Sequence, residues 1–352
     1  MDDKVLKELE HISQAVGVPV EYTQGGGGNT SAKLNEELMA VKASGFKLKQ
    51  INPGEGYVVV NYQNIVNYYE NIDLSQERDY EKESAEFVRA NIVELEGLKK
   101  LRPSVEAGFH SLLKKFVIHT HPVYANILCC THTGQALVEK IFADKPYITA
   151  WVPYINPGFC LTLRINEIIK DTVKRRGKFP EVLFMENHGL IVTADQSQAC
   201  VELHREVNEA IKEYLEIKAE FPVIELAVVD ENTIISKTGY LIAFFKNNRI
   251  SADFFNKVVL YPDQLVYLNG NVAINSMDKK LNINPESGEI IYKTNYAEAQ
   301  TIEETLLAYL YVVEGIKRSG LPLKTMSEKE VAFIRNWESE AYRKSLVKEL
   351  GK

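Results

Sequence analysis

Apolar residues recur at helical spacing over Val5, Leu6, Leu9 and Ile12, so the chain is expected to open on an amphipathic helix from Val5 to Val16. The pattern then breaks at Gln24-Gly25-Gly26-Gly27-Gly28-Asn29-Thr30-Ser31. Short β-like runs follow at Leu38-Met39-Ala40-Val41 and Tyr57-Val58-Val59-Val60-Asn61. From Asn64 to Lys100 the chain is polar, charged and helical in character, like an insertion. Beyond it the periods predict a helix over Ser104–Lys114, a strand over Phe116–His121 and a helix over Thr131–Phe142. A helix over Glu167–Arg176, a strand over Val182–Met185 and a long amphipathic helix over Ser197–Glu220 come next. This alternation predicts a layered α/β domain over residues 1–221. Around Phe221-Pro222-Val223 the character changes. Short strand-like runs are then separated by turn signals at Asn247-Asn248, Asn269-Gly270 and Ser287-Gly288, and Ala297–Leu350 is strongly helical. Residues 222–352 are therefore expected to form a smaller α+β domain. Its Trp337, Tyr342 and Arg343 suit a lid, a subunit contact or a packed helix equally well.

Composition narrows the classes. With 352 residues, 45% hydrophobic and 25% charged, the chain can bury a full core and is long enough for two domains. A net charge of −7 offers no general attraction to nucleic acid or to an anionic membrane. The start, Met1-Asp2-Asp3-Lys4, is unlike a secretory signal, and no segment approaches the roughly 20 apolar residues of a spanning helix. A cytoplasmic location is expected. Cys129, Cys130, Cys160 and Cys200, with no Cys-x-x-Cys spacing, suit free thiols in a reducing compartment.

The candidate chemistry begins where Phe116-Val117-Ile118 runs into His119-Thr120-His121. At a strand end, residues i and i+2 point to the same side, so both imidazoles can face one point. His188 stands in a similar setting, after Val182–Met185. Three neutral imidazoles leave a fourth position on Zn²⁺ for water or substrate, as in a catalytic site, whereas ordinary strand-end histidines would need no metal. Gly25–Gly28 suits either an anion nest or a flexible surface loop, and it is neither a dinucleotide fingerprint nor a Walker loop. Lys42-Ala43-Ser44-Gly45 is a second candidate phosphate turn. Ser104 would add a helix N-terminus or simply cap it, and Glu106 is either a proton acceptor or metal ligand or a first-turn carboxylate. His110 reads as a packing residue or one that supports a ligand. His11, His132 and His204 read as structural.

Taken in order, Gly28-Asn29-Thr30-Ser31, Lys42-Ala43-Ser44-Gly45, Arg102-Pro103-Ser104-Val105-Glu106 with His110, His119-Thr120-His121-Pro122 and Asn187-His188-Gly189-Leu190 resemble the motifs of the class II aldolase/adducin family. That family includes fuculose-phosphate and rhamnulose-phosphate aldolases and ribulose-phosphate 4-epimerase. The resemblance covers about residues 10–215. It implies a class II aldolase-like three-layer α/β/α domain with a central mixed sheet. It places His119, His121 and His188 on zinc ligands, Glu106 on the acid/base carboxylate, and Asn29, Ser44, Gly45 and Ser104 on phosphate contacts. The activity implied is aldol cleavage or formation of a C–C bond in a sugar phosphate through a zinc-stabilised enediolate, in a homo-oligomer, typically a tetramer. A 4-epimerase and a non-catalytic adducin-like binding protein are the alternatives.

Two positions depart from the family pattern. Val105 stands where fuculose-type aldolases carry a second serine. Their proton-transfer tyrosine falls on Glu139 and Lys140, with Tyr147 and Tyr154 the nearest candidates. After Val223 there is no dinucleotide-binding glycine motif, so hydride transfer is not expected.

Overall fold

The computed structural model describes residues 3–251 and 253–336. Seven strands build the first sheet: β1 (Asn29–Lys33), β2 (Leu38–Lys42), β3 (Tyr57–Asn61), β4 (Phe116–Thr120), β5 (Thr149–Val152), β6 (Val182–Met185) and β7 (Gly189–Ala194). Their spatial order is β3-β2-β1-β4-β7-β6-β5, antiparallel throughout except for the parallel β5–β6 pair at one edge. Burial on both faces explains why β2, β3, β4 and β6 read as apolar runs, while β1, Asn-Thr-Ser-Ala-Lys, is buried despite its polar side chains. Phe116 and Ile118 of β4 pack on one side, with helices Asp3–Gly17, Val123–Cys129 and Ser197–Tyr214. Val117 points the other way, to Phe109, Leu161 and Ile165 of helices Ala107–Leu112 and Phe159–Arg176. That is a three-layer α/β/α arrangement.

The C-terminal region holds a second, five-stranded mixed sheet. Its strands are β8 (Leu226–Asp230), β9 (Thr233–Ser236), β10 (Val272–Ile274), β11 (Leu281–Asn284) and β12 (Glu289–Tyr292), in the order β10-β11-β12-β9-β8. Helix Tyr296–Arg318 packs against it. On that helix the buried carboxylate of Glu303 accepts hydrogen bonds from the hydroxyls of Ser236 (2.7 Å), Thr238 and Tyr292, tying strands to helix. The same helix packs on Val123–Cys129 of the first region, so one apolar core runs through both. Among the described residues no helix is long and apolar enough to cross a membrane, and all four cysteines are free.

Several expected elements differ. The insertion forms helices Tyr62–Asn71 and Tyr80–Ala90, as its composition suggested. The helix expected over Ser104–Lys114 is only Ala107–Leu112, because Arg102–Ser104 is held extended against the Lys42–Ser44 backbone by Ser44 N–H donating to Arg102 O and Ser104 N–H to Lys42 O. Ser104 is therefore not that helix's first-turn cap. Helix Ser197–Tyr214 stops short of Glu220, and Glu216 takes a left-handed φ of 55°. Helix Phe159–Arg176 begins earlier than Glu167, and Gly134–Ile141 is shorter than Thr131–Phe142. Between the C-terminal strands lie helices Gly239–Asn247, Phe254–Lys257 and Pro262–Tyr267, which replace the purely strand-like reading of 222–293. Two helices, Tyr296–Arg318 and Glu328–Asn336, account for the helical tail as far as it is described; Trp337, Tyr342 and Arg343 lie outside the described residues.

Candidate active site

The register of β1, β4 and β7 assembles the site. Asn29 pairs with His119 across the sheet, His119 pairs with Ile191, and the tight turn between β6 and β7 carries Asn187 and His188 back beside the β4 terminus. Asn187 makes that turn with φ of 49°, a conformation its short amide side chain tolerates. His119, His121 and His188 are all buried, with one ligand nitrogen from each lying within 4.8 Å of the others.

Hydrogen bonding fixes which nitrogens converge. The carbonyl of Leu190 can only accept, so His119 Nδ1–H donates to it at 3.0 Å. His121 Nδ1 lies 2.5 Å from Asp263 Oδ2 and donates to that carboxylate. The two Nε2 atoms, on the far side of each ring, face each other at 3.2 Å. A divalent ion held there would accept a lone pair from each neutral imidazole. His188 Nε2 completes the cluster, 3.3 Å from Glu106 Oε1, while Glu106 Oε2 is 3.4 Å from His119 Nε2. Burial holds the His119 imidazole well below its ordinary range despite the pull of Glu106, which keeps it in the neutral form a metal needs. Donor set and burial fit a divalent transition metal held by three imidazoles.

The other expected residues gather here too. A cavity of about 60 Å³ is lined by Asn29, Ser44, Gly45, Ser104, Glu106, His121 and His188, together with Lys42 and Asp263; His119 lies behind this wall, fully buried. Asn29 lines this cavity, and its Nδ2 donates to Glu106 Oε2 at 2.6 Å and to Ser104 Oγ at 3.2 Å, which orients the carboxylate. An adjoining cavity of about 260 Å³ shares Ser44, Ser104 and Val105 and is walled by the inserted helix Tyr80–Ala90.

The glycine run is neither a free loop nor an open nest. Gly25 N–H donates to Glu304 Oε2 at 2.8 Å, Gly26 N–H to the Tyr267 hydroxyl at 3.3 Å and Gly27 N–H to Gln24 O at 2.9 Å. Gly25 thus meets the protein's own carboxylate, from helix Tyr296–Arg318, while Gly26 and Gly28 line the 60 Å³ cavity. On the far side, Asn187 Nδ2 donates to the carbonyls of Leu260 and Lys324 at 2.8 and 2.9 Å.

The remaining candidates sit apart. His110 Nδ1 meets Ser31 Oγ at 2.8 Å, and His204 Nε2 meets Thr120 Oγ1 at 2.7 Å with its ring edge-on to Tyr22. Both are fully buried and packed, as expected of structural residues. His11 reaches Gln198 at the surface. Tyr147 lies near Glu206, and the Tyr154 hydroxyl is buried without a hydrogen-bond partner among the described residues; neither lines the 60 Å³ cavity. Sequence reading missed Asp263, Tyr267 and Glu304. Asp263 carries no local signal. Glu303-Glu304 does, since two carboxylates in an otherwise apolar helical stretch require buried partners.

The model of the Class II Aldolase and Adducin N-terminal domain matches residues 18–215. The uncharacterised oxidoreductase YuxG of Bacillus subtilis (strain 168) is 28% identical over 223 residues, spanning 60% of this chain and 30% of that protein. The chain thus spans less than a third of that relative's length. Among solved structures, the N-terminal class II aldolase domain of a conserved protein from Thermoplasma acidophilum is 21% identical, with a TM-score of 0.49 over 60% of this chain and 93% of that one. L-fuculose-1-phosphate aldolase from Thermus thermophilus is 11% identical, with a TM-score of 0.38 over 61% of this chain and 95% of that one. The family match spans more than half of the 352 residues and includes all three clustered histidines and Glu106. The chain belongs to the class II aldolase and adducin N-terminal domain family.

Proposed function

We propose that the chain is a metal-dependent aldehyde-lyase of the aldolase type, cleaving or forming a C–C bond in a sugar phosphate, with residues 1–221 as the catalytic unit. The observation that carries this reading is the meeting of three imidazole Nε2 atoms with the Glu106 carboxylate in one buried cluster. His119, His121 and His188 would hold the ion, and zinc suits an all-imidazole set better than Mg²⁺ or Ca²⁺. Bound there, the cation supplies Lewis-acid stabilisation of the negative charge that develops on the substrate as the C–C bond breaks. Glu106, oriented by Asn29, moves the proton at the donor carbon. Ser44, Gly45 and Ser104 face the cavity where a phosphate would dock, with the Lys42 ammonium among its walls. We further propose that the protein assembles as a homo-oligomer, with a tetramer as the expected form.

The test combines elemental analysis with a screen of ketose phosphates for aldehyde release. About one zinc per chain, chelator-sensitive turnover and a free aldehyde product are expected. Full activity after complete metal removal would defeat the reading. Interconversion of two sugar phosphates without free aldehyde would instead assign a 4-epimerase.

A further inference from the structure

We propose that Asp263 is a positioning residue of the metal centre, supplied by the C-terminal region and acting through His121. This rests on the reading of His121 as a ligand. Three independent features carry it.

The first is the contact itself: a carboxylate with almost no solvent exposure, 2.5 Å from His121 Nδ1 and opposite the Nε2 that faces the other histidines. A carboxylate accepting from Nδ1–H fixes the tautomer, sets the ring orientation and raises the basicity of the ligating nitrogen. The second is the space made for it. A Cβ on Gly27 would stand 2.3 Å from Asp263 Oδ2 and 3.0 Å from His121 Nδ1, so any side chain there would drive the carboxylate off the imidazole. Glycine at 27 thus serves the Asp263–His121 contact. The third is the rigidity of the carrier. Helix Pro262–Tyr267 is buried along its length. Gln264 Oε1 accepts from Leu260 N–H, its Nε2 donates to Phe255 O and Val258 O, and the Tyr267 hydroxyl accepts from Gly26 N–H. The carboxylate is held in place before any ion arrives. Asp263 lies beyond residues 18–215, outside the matched family domain.

The experiment measures zinc affinity of the full chain by competition with a chromophoric chelator, for wild type, Asp263→Asn, Asp263→Ala and His121→Ala, each well below its own melting temperature. Asp263→Asn keeps the shape and removes the charge. We expect it to bind zinc about 10- to 100-fold more weakly, Asp263→Ala more weakly still, and His121→Ala not measurably. The metal-free Asp263→Asn protein should melt close to wild type. Zinc affinity of Asp263→Asn within twofold of wild type overturns the proposal, including when its melting temperature falls, since that pattern marks a purely structural contact. A wild-type protein that binds no divalent metal overturns the proposed function together with this inference, so the two failures are distinguishable.

Discussion

Removing the Glu304 carboxylate tests whether the C-terminal helix really holds the glycine run. Glu304 is almost fully buried; its Oε2 accepts from Gly25 N–H at 2.8 Å and lies 3.7 Å from Lys47 Nζ, while Oε1 accepts from Gln300 at 3.0 Å. In Glu304→Ala the Gly25 N–H is buried without an acceptor, which costs about 1–3 kcal/mol. The lost pair with Lys47, part-exposed and at long range, adds about 1 kcal/mol or less. A total near 3 kcal/mol corresponds to a roughly hundredfold easier local opening. Glu304→Gln keeps a carbonyl oxygen for Gly25 and loses mainly the ion pair, so its effect should be about 1 kcal/mol, or roughly fivefold. Amide hydrogen exchange read by mass spectrometry on a peptide spanning residues 24–31 reports this opening directly. Unchanged exchange in Glu304→Ala would show that the loop is held by something else. Equal acceleration in both variants would show that charge, and not the acceptor, does the holding.

Glu106→Gln should retain its metal while turnover falls by about 10² or more, whereas His121→Ala should lose the metal; bound zinc and turnover measured side by side separate the two roles. Gly28→Ala should destabilise the protein by about 2 kcal/mol or more, because Gly28 has φ of 63° and a Cβ there would lie 2.6 Å from the His119 carbonyl oxygen; a melting temperature equal to wild type would contradict this. Burial lowers the imidazoles of His204 and His110 to about 3, so both stay neutral in the native state while the unfolded chain takes up protons below about 6.5. Their contribution is complete above about pH 6.5 and is lost as the pH falls toward 3, by up to about 1.4 kcal/mol per unit for each histidine. Denaturation midpoints at pH 7.5 and pH 5 should show the loss in wild type and a shallower one in His204→Gln.

Strands β2, β3, β4 and β6 were legible because each is a short apolar run, and His-x-His at the end of one of them announces a shared focus. His188 was legible for the same reason. Strand β1, Asn29–Lys33, was not, because its side chains are mostly polar, and β5 and β7 were not read as strands either. Helix Gly239–Asn247 was not legible, since Tyr240-Leu241-Ile242-Ala243-Phe244-Phe245 is rich in residues that favour strands. Its buried positions, Leu241, Phe244 and Phe245, nonetheless follow helical spacing. Ser104 was misplaced because an Arg-Pro-Ser start resembles a helix cap, while the chain instead pairs with the Lys42–Ser44 backbone. The glycine run admitted a ligand nest or a loose loop, and only tertiary structure could supply the third answer, a carboxylate from elsewhere in the chain. Asp263 was invisible for the same reason: nothing local distinguishes an aspartate at a helix start from one that aligns an imidazole.

Three of the hydrogen bonds that fasten the C-terminal region onto the site join residues 279 apart (Gly25 and Glu304), 142 apart (His121 and Asp263) and 137 apart (Asn187 and Lys324). Contacts of such separation form late, since the entropy of closing long loops must be met before they return anything. On a ribosome, His119, His121 and His188 emerge well before Asp263, and the glycine loop waits for Glu304. The aldolase-like sheet is then expected to fold first, with its histidines incompletely oriented. Full orientation of the histidine cluster then waits until helices Pro262–Tyr267 and Tyr296–Arg318 have docked on the first sheet.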